Sequence, residues 1–102
     1  MGRASRERPA KLAEKLLHIR TALGLSQNKM LAQLGLAEQG FRHHVSEFER
    51  GLREPTLVVL LRYATLANVL LNALVDDRLE LPLELPATKR YQWALSRIQK
   101  AD

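Results

Sequence analysis

The sequence predicts an all-α domain assembled from short helices. Apolar residues recur at helical spacing, no run sustains strand alternation, and glycines or prolines punctuate the chain at intervals suited to short helices. At 102 residues the chain is one small domain. A core of that size leaves little room for a large cleft.

The first helix is expected from near Pro9 to Gly24, with Ser5 or a neighbour as a loose cap. Leu12, Leu16, Ile19 and Leu23 fall on one face, and Gly24 suits the left-handed position after a helix end. Ser26 then caps a second helix over 27–34, whose inward face is Met30, Leu31 and Leu34, with Gly35 as its stop. A third helix is expected over 41–50. At about 100° per residue, Phe41, Val45, Phe48 and Leu52 lie within about 60° of one another. They form one apolar stripe opposite Arg42, His43, Ser46, Glu47 and Arg50.

Thr56, after Pro55, caps a fourth helix through Ala67, with Asn68 as a left-handed stop. A fifth runs from about Leu70 to Val75. Leu81-Pro82 and Leu85-Pro86 exclude a helix over 77–86, which reads as an extended connector. Residues 87–102 return to helical composition, with Tyr91, Leu95 and Ile98 on one side and Trp93 on another. Residues 1–8 form a basic arm and 9–76 the main domain.

Composition removes several functions. With no cysteine, there is no disulfide, thiolate metal site or cysteine nucleophile. Residues 1–15 lack an apolar segment of the signal-peptide kind, so none is expected. The apolar stretch 57–75 contains Arg62, and a mid-bilayer arginine costs at least about 2.5 kcal/mol. Two core helices explain it better than a membrane span. His43 and His44 point about 100° apart on a helix and cannot share a metal, while His18 is remote. Asp76 and Asp77 read as the end of the fifth helix. No phosphate loop, nucleophile elbow or zinc-protease signature is present. No enzyme, metal or cofactor is expected.

Charge points toward a polyanion. The net charge is +5, and it is uneven: residues 1–53 hold ten basic and five acidic groups, 54–86 two and five, 87–102 four and one. A short helix, a turn, then a helix with an apolar back and a polar front is the helix-turn-helix pattern.

Over about two thirds of its length the chain resembles the phage repressor and Cro-type helix-turn-helix family. The marks are Arg20 before Gly24-Leu25-Ser26-Gln27, then Leu34-Gly35-Leu36, Val45-Ser46 and Phe48-Glu49-Arg50-Gly51, Glu54-Pro55-Thr56-Leu57, and Leu66-Ala67-Asn68-Val69. The stretch from Leu36 to Val45 is about four residues longer than the family's turn. Asn68 replaces the usual glycine, and Leu70 stands where a serine cap is usual.

The resemblance implies a five-helix, lambda-repressor-like domain, here with an additional C-terminal helix, that binds double-stranded DNA as a small transcriptional regulator, most simply a repressor. It places Arg42 and His43 at base-reading positions, with Glu47 and His44 as further candidates. Gln27, Asn28, Lys29, Arg50 and Arg53 become candidates for phosphate contact. Arg20 and Glu49 become a structural salt bridge. It further implies a homodimer on a palindromic site in a bacterial or phage-type cytoplasm. Leu74, Tyr91 and Trp93 are candidates for dimer or tail packing. The competing expectation is a protein partner: an antitoxin or adaptor that keeps the fold and uses the lengthened turn with Phe41, or the Trp93 tail.

Overall fold

The computed structural model describes residues 7–38 and 40–87. Ser5, Tyr91 and Trp93, most of the N-terminal arm and all but the first residue of the expected C-terminal helix lie outside them. The described chain is all-helical, with five helices: α1 (Leu12–Ala22), α2 (Gln27–Gln33), α3 (His44–Glu49), α4 (Leu57–Ala67) and α5 (Leu71–Val75). No strand occurs among the described residues. Helix α1 packs on α3, α4 and α5, α2 packs on α3, and α4 packs on α5. Among the described residues, no helix is long and apolar enough to cross a membrane.

Helix α1 buries Leu12, Leu16 and Ile19, as its spacing requires, but it begins three residues later than Pro9. No side chain of its own first turn caps it. The cap comes from across the fold: the Asp77 carboxylate accepts the N–H groups of Ala10 at 2.8 Å and Lys11 at 3.1 Å. The return contact is Lys15, a buried side chain on the inner face of α1. Its ammonium donates to the carbonyls of Ala73 at 2.9 Å and Asp76 at 3.1 Å, supplying donors at the C-terminal end of α5. The two helices cap each other.

This exchange has a pH signature. Backbone N–H donors hold the Asp77 carboxyl below its ordinary range, and Arg78 holds its neighbour Asp76 down to about 2. Acids depressed in the folded state contribute stability above their unfolded pKa and lose it as pH falls through the folded one. Unfolding midpoints should therefore drop from about pH 4 downward, the unfolded carboxylate range, and continue dropping toward pH 2. Asp77→Asn should flatten part of that slope in a denaturant titration at each pH. An unchanged slope in the variant would refute the capping role.

Ser26 caps α2 as expected, its hydroxyl accepting the Lys29 N–H at 3.1 Å. The helix closes on Gly35, whose φ of +74° is left-handed. A β-carbon there would lie 2.8 Å from the guanidinium of Arg62, which donates to the Leu34 carbonyl at 2.7 Å. Arg62 is thus a helix cap, not a stray charge in an apolar run. Thr56 caps α4 by accepting the Val59 N–H at 3.3 Å, and Asn68 closes it at φ 59°, ψ 44°. Leu70 precedes α5 with no side-chain cap.

The expected third helix is corrected. Only residues 44–49 are helical, because the His44 N–H bonds to the Phe41 carbonyl three residues back, in a turn, and His43 stands as the N-cap with no side-chain cap bond. The four-residue stripe shrinks with it. Val45 and Phe48 are buried, whereas Phe41 and Leu52 fall beyond the helix ends and are exposed.

Two further leucines change role. Leu74, expected at a dimer or tail surface, is fully buried in the monomer because α5 turns that face onto α1 and α4. Leu85, in the expected connector, is also fully buried. Residues 76–85 are non-helical and lie on the bundle through Asp77, Leu81 and Leu85. Near the core's centre Tyr63 stacks edge-on against Phe48, with ring centroids 6.4 Å apart. Its hydroxyl is buried without a hydrogen-bond partner among the described residues, and burial pushes its pKa up.

Candidate functional site

Glu49, the last residue of α3, is the junction of three helices. Arg20 of α1 reaches it with two nitrogens, Nε at 2.6 Å and Nη2 at 3.1 Å. The remaining guanidinium nitrogen donates to the Leu25 carbonyl at 2.9 Å. Gln27, the first residue of α2, donates its amide to Glu49 at 3.0 Å. The side chain of Glu49 is 5% exposed and that of Arg20 17%. A paired, hydrogen-bonded charge in such a place holds its neighbours in one geometry. The bond to Glu49 raises the Arg20 pKa.

The other side of the α2–α3 unit is polar and open. Asn28 and Lys29 are exposed on the first turn of α2, and Arg42, His43 and Arg50 are exposed around α3. Arg42 and His43 sit in the turn entering α3, not within the helix. Arg42 Nε lies 3.3 Å from His43 Nε2, an arrangement in which the arginine donates and the ring nitrogen accepts. Arg50 Nε donates to the Ser46 carbonyl at 3.4 Å, a long contact. No carboxylate pairs with Lys29, Arg42 or Arg50 among the described residues.

Two of the expected contacts are already engaged with each other. Arg53 Nε donates to Glu47 at 2.7 Å, and this bond keeps the Glu47 carboxyl below its ordinary range. The pair is exposed enough to be exchanged for other partners. His44 is turned to packing: its ring lies 4.9 Å from Phe41 and 5.9 Å from Phe48. Burial lowers its pKa, and the Arg53 charge adds to the effect.

Two shallow grooves, of about 370 and 420 Å³, lie elsewhere. Lys11, Glu14 and His18 line one with Glu80, Leu81 and Leu83, where His18 Nε2 approaches the Pro82 carbonyl at 3.4 Å. Among the described residues no group of three His, Asp or Glu side chains could hold a metal ion. Compared with known proteins, the chain matches no family model, no curated protein and no solved structure.

Proposed function

We propose that this chain is a sequence-specific DNA-binding regulator of the phage repressor and Cro type, with a lambda-repressor-like helix-turn-helix formed by α2 and α3. The observation that carries this reading is the Glu49 junction. It joins the helix that would lie along the backbone to the helix that would enter the major groove, through the residues Arg20 and Gln27. A reader of DNA needs that rigidity, because base contacts discriminate only when the helix is held in register. Outside the junction, Lys29, Arg42 and Arg50 have no carboxylate partners to compete with phosphate. Arg42 is the base-reading residue, donating to guanine O6 and N7, and His43 stands beside it as a second base-reading residue. Gln27, Asn28, Lys29, Arg50 and Arg53 approach phosphates.

One short recognition helix covers too few base pairs to select a genomic site, so the protein acts as a two-fold dimer. Leu70, Leu79 and Leu83, at and beyond the ends of α5, are among the apolar residues that the monomer leaves exposed.

The test is selection from random duplex DNA at physiological salt. A palindrome should emerge, and binding should weaken steeply as salt rises. Arg42→Ala should then relax one symmetric pair of positions, with about 1–3 kcal/mol of discrimination lost there. A folded protein that enriches no sequence would overturn the proposal in favour of a protein-binding role.

A further inference from the structure

Phe41 is the exposed aromatic residue of the described chain, 38% accessible, whereas Phe48 and Tyr63 are buried. The lengthened turn leaves it there without leaving it loose. Its N–H donates to the Glu38 carbonyl at 3.2 Å, and its own carbonyl accepts the His44 N–H at 2.9 Å. The ring meets His44 edge-on at 75°, His44 leans on Phe48, and Phe48 rests against Tyr63 in the core. A line of aromatic contacts therefore runs from the interior to a ring at the surface. Packing accounts for the inner three rings but not for the exposure of the fourth.

Its surroundings limit what can meet it. Arg42 and His43 follow it directly at the entrance to α3, and Arg42 has no carboxylate partner among the described residues. An apolar ring beside an open cation fits a surface that is anionic yet offers an isolated apolar group. In the major groove that group is the C5-methyl of thymine, beside the phosphate backbone.

We infer that Phe41 is a specificity-determining residue that reads a thymine methyl next to the base contacted by Arg42. The inference rests on the DNA-binding reading above. The ring is fixed before binding, so little side-chain entropy is lost when the methyl docks.

The probe is the duplex enriched by selection, remade with deoxyuridine replacing each thymine in turn, which removes the C5-methyl alone. One symmetric pair of replacements should weaken wild-type binding about three- to fivefold per site, the size expected for burying one methyl. Phe41→Ala should bind the thymine duplex about that much more weakly and be indifferent to deoxyuridine at that pair. Phe41→Leu, which keeps an apolar group, should retain part of the sensitivity, and thermal unfolding confirms that each variant is folded. Wild-type binding indifferent to deoxyuridine everywhere, or Phe41→Ala keeping the wild-type response, would overturn the inference while leaving the DNA reading intact. An enriched duplex without thymine would overturn it as well. Failure to enrich any duplex would overturn both.

Discussion

Glu49→Ala should cost about 3–5 kcal/mol of unfolding free energy, because the truncation leaves the Arg20 guanidinium largely buried and unpaired. Gln27 loses its acceptor in the same step, and the C-terminal end of α3 loses its ties to both α1 and α2. For a domain of this size, about 4–8 °C of melting temperature accompany each kcal/mol, so the shift should exceed ten degrees. The charge left behind, not the missing attraction, is the larger part of that loss. Replacing both members, Arg20→Met with Glu49→Leu, should therefore recover most of the stability. Calorimetry on the two variants separates the explanations. A loss under about 1 kcal/mol in Glu49→Ala would mean that the pair is solvent-screened like a surface bridge. DNA binding by the single variant should fall at least as far as its folded fraction falls, because Glu49 also holds α3 in register, although neither Arg20 nor Glu49 is proposed to contact DNA.

What the sequence revealed of this fold depends on how local each cause is. Ser26, Thr56 and Asn68 act within a turn of their own helix, and their roles were readable from residue type and position. Lys15 was half readable. It lies about 40° beyond the arc of Leu12, Leu16 and Ile19, so periodicity places it at the edge of the inward face, and only the fold supplies the carbonyls of Ala73 and Asp76 that make burial tolerable. Asp77 accepting the N–H of Lys11, 66 residues earlier at the start of α1, left no local trace. The start of α3 was misread for a specific reason. Phe41 fits the helical apolar stripe in the sequence, yet its carbonyl bonds three residues ahead, in a turn, and the helix begins only at His44.

The candidate site divides in the same way. Arg42 and His43 were identifiable by register counted back from Phe48-Glu49-Arg50-Gly51, and both are exposed. Their side-chain state was not. The Glu47–Arg53 pair closes across the turn at Gly51, and the enclosure of His44 by two rings depends on where Phe41 comes to rest. Arg20 and Glu49 stand 29 residues apart, and no periodicity joins them. Their pairing was foreseeable only from the family resemblance.

Leu85→Ala should destabilise the domain by about 2–5 kcal/mol, while Leu83→Ala, two residues earlier, should stay within about 0.5 kcal/mol of the parent. The two leucines are chemically identical and flanked by the same prolines, but Leu85 is fully buried and Leu83 is 94% exposed. In a straight extended strand, residues 81, 83 and 85 would share one face. The chain instead bends at residues 83 and 84, which lifts Leu83 into solvent and drives Leu85 into the core. With Asp77 capping α1 at the other end, residues 77–85 are fastened to the bundle at both ends. A linker would tolerate either substitution equally. Urea unfolding of the two variants reads the difference directly, and equal midpoints would show that Leu85 adds nothing to the core. A large asymmetry has a functional corollary. The segment beyond α5 would be set at a fixed place relative to α1, and any second copy or partner held by the exposed Leu79 and Leu83 would be held at a fixed distance from the Glu49 junction. A dimer that must present two recognition helices one DNA turn apart requires that constancy.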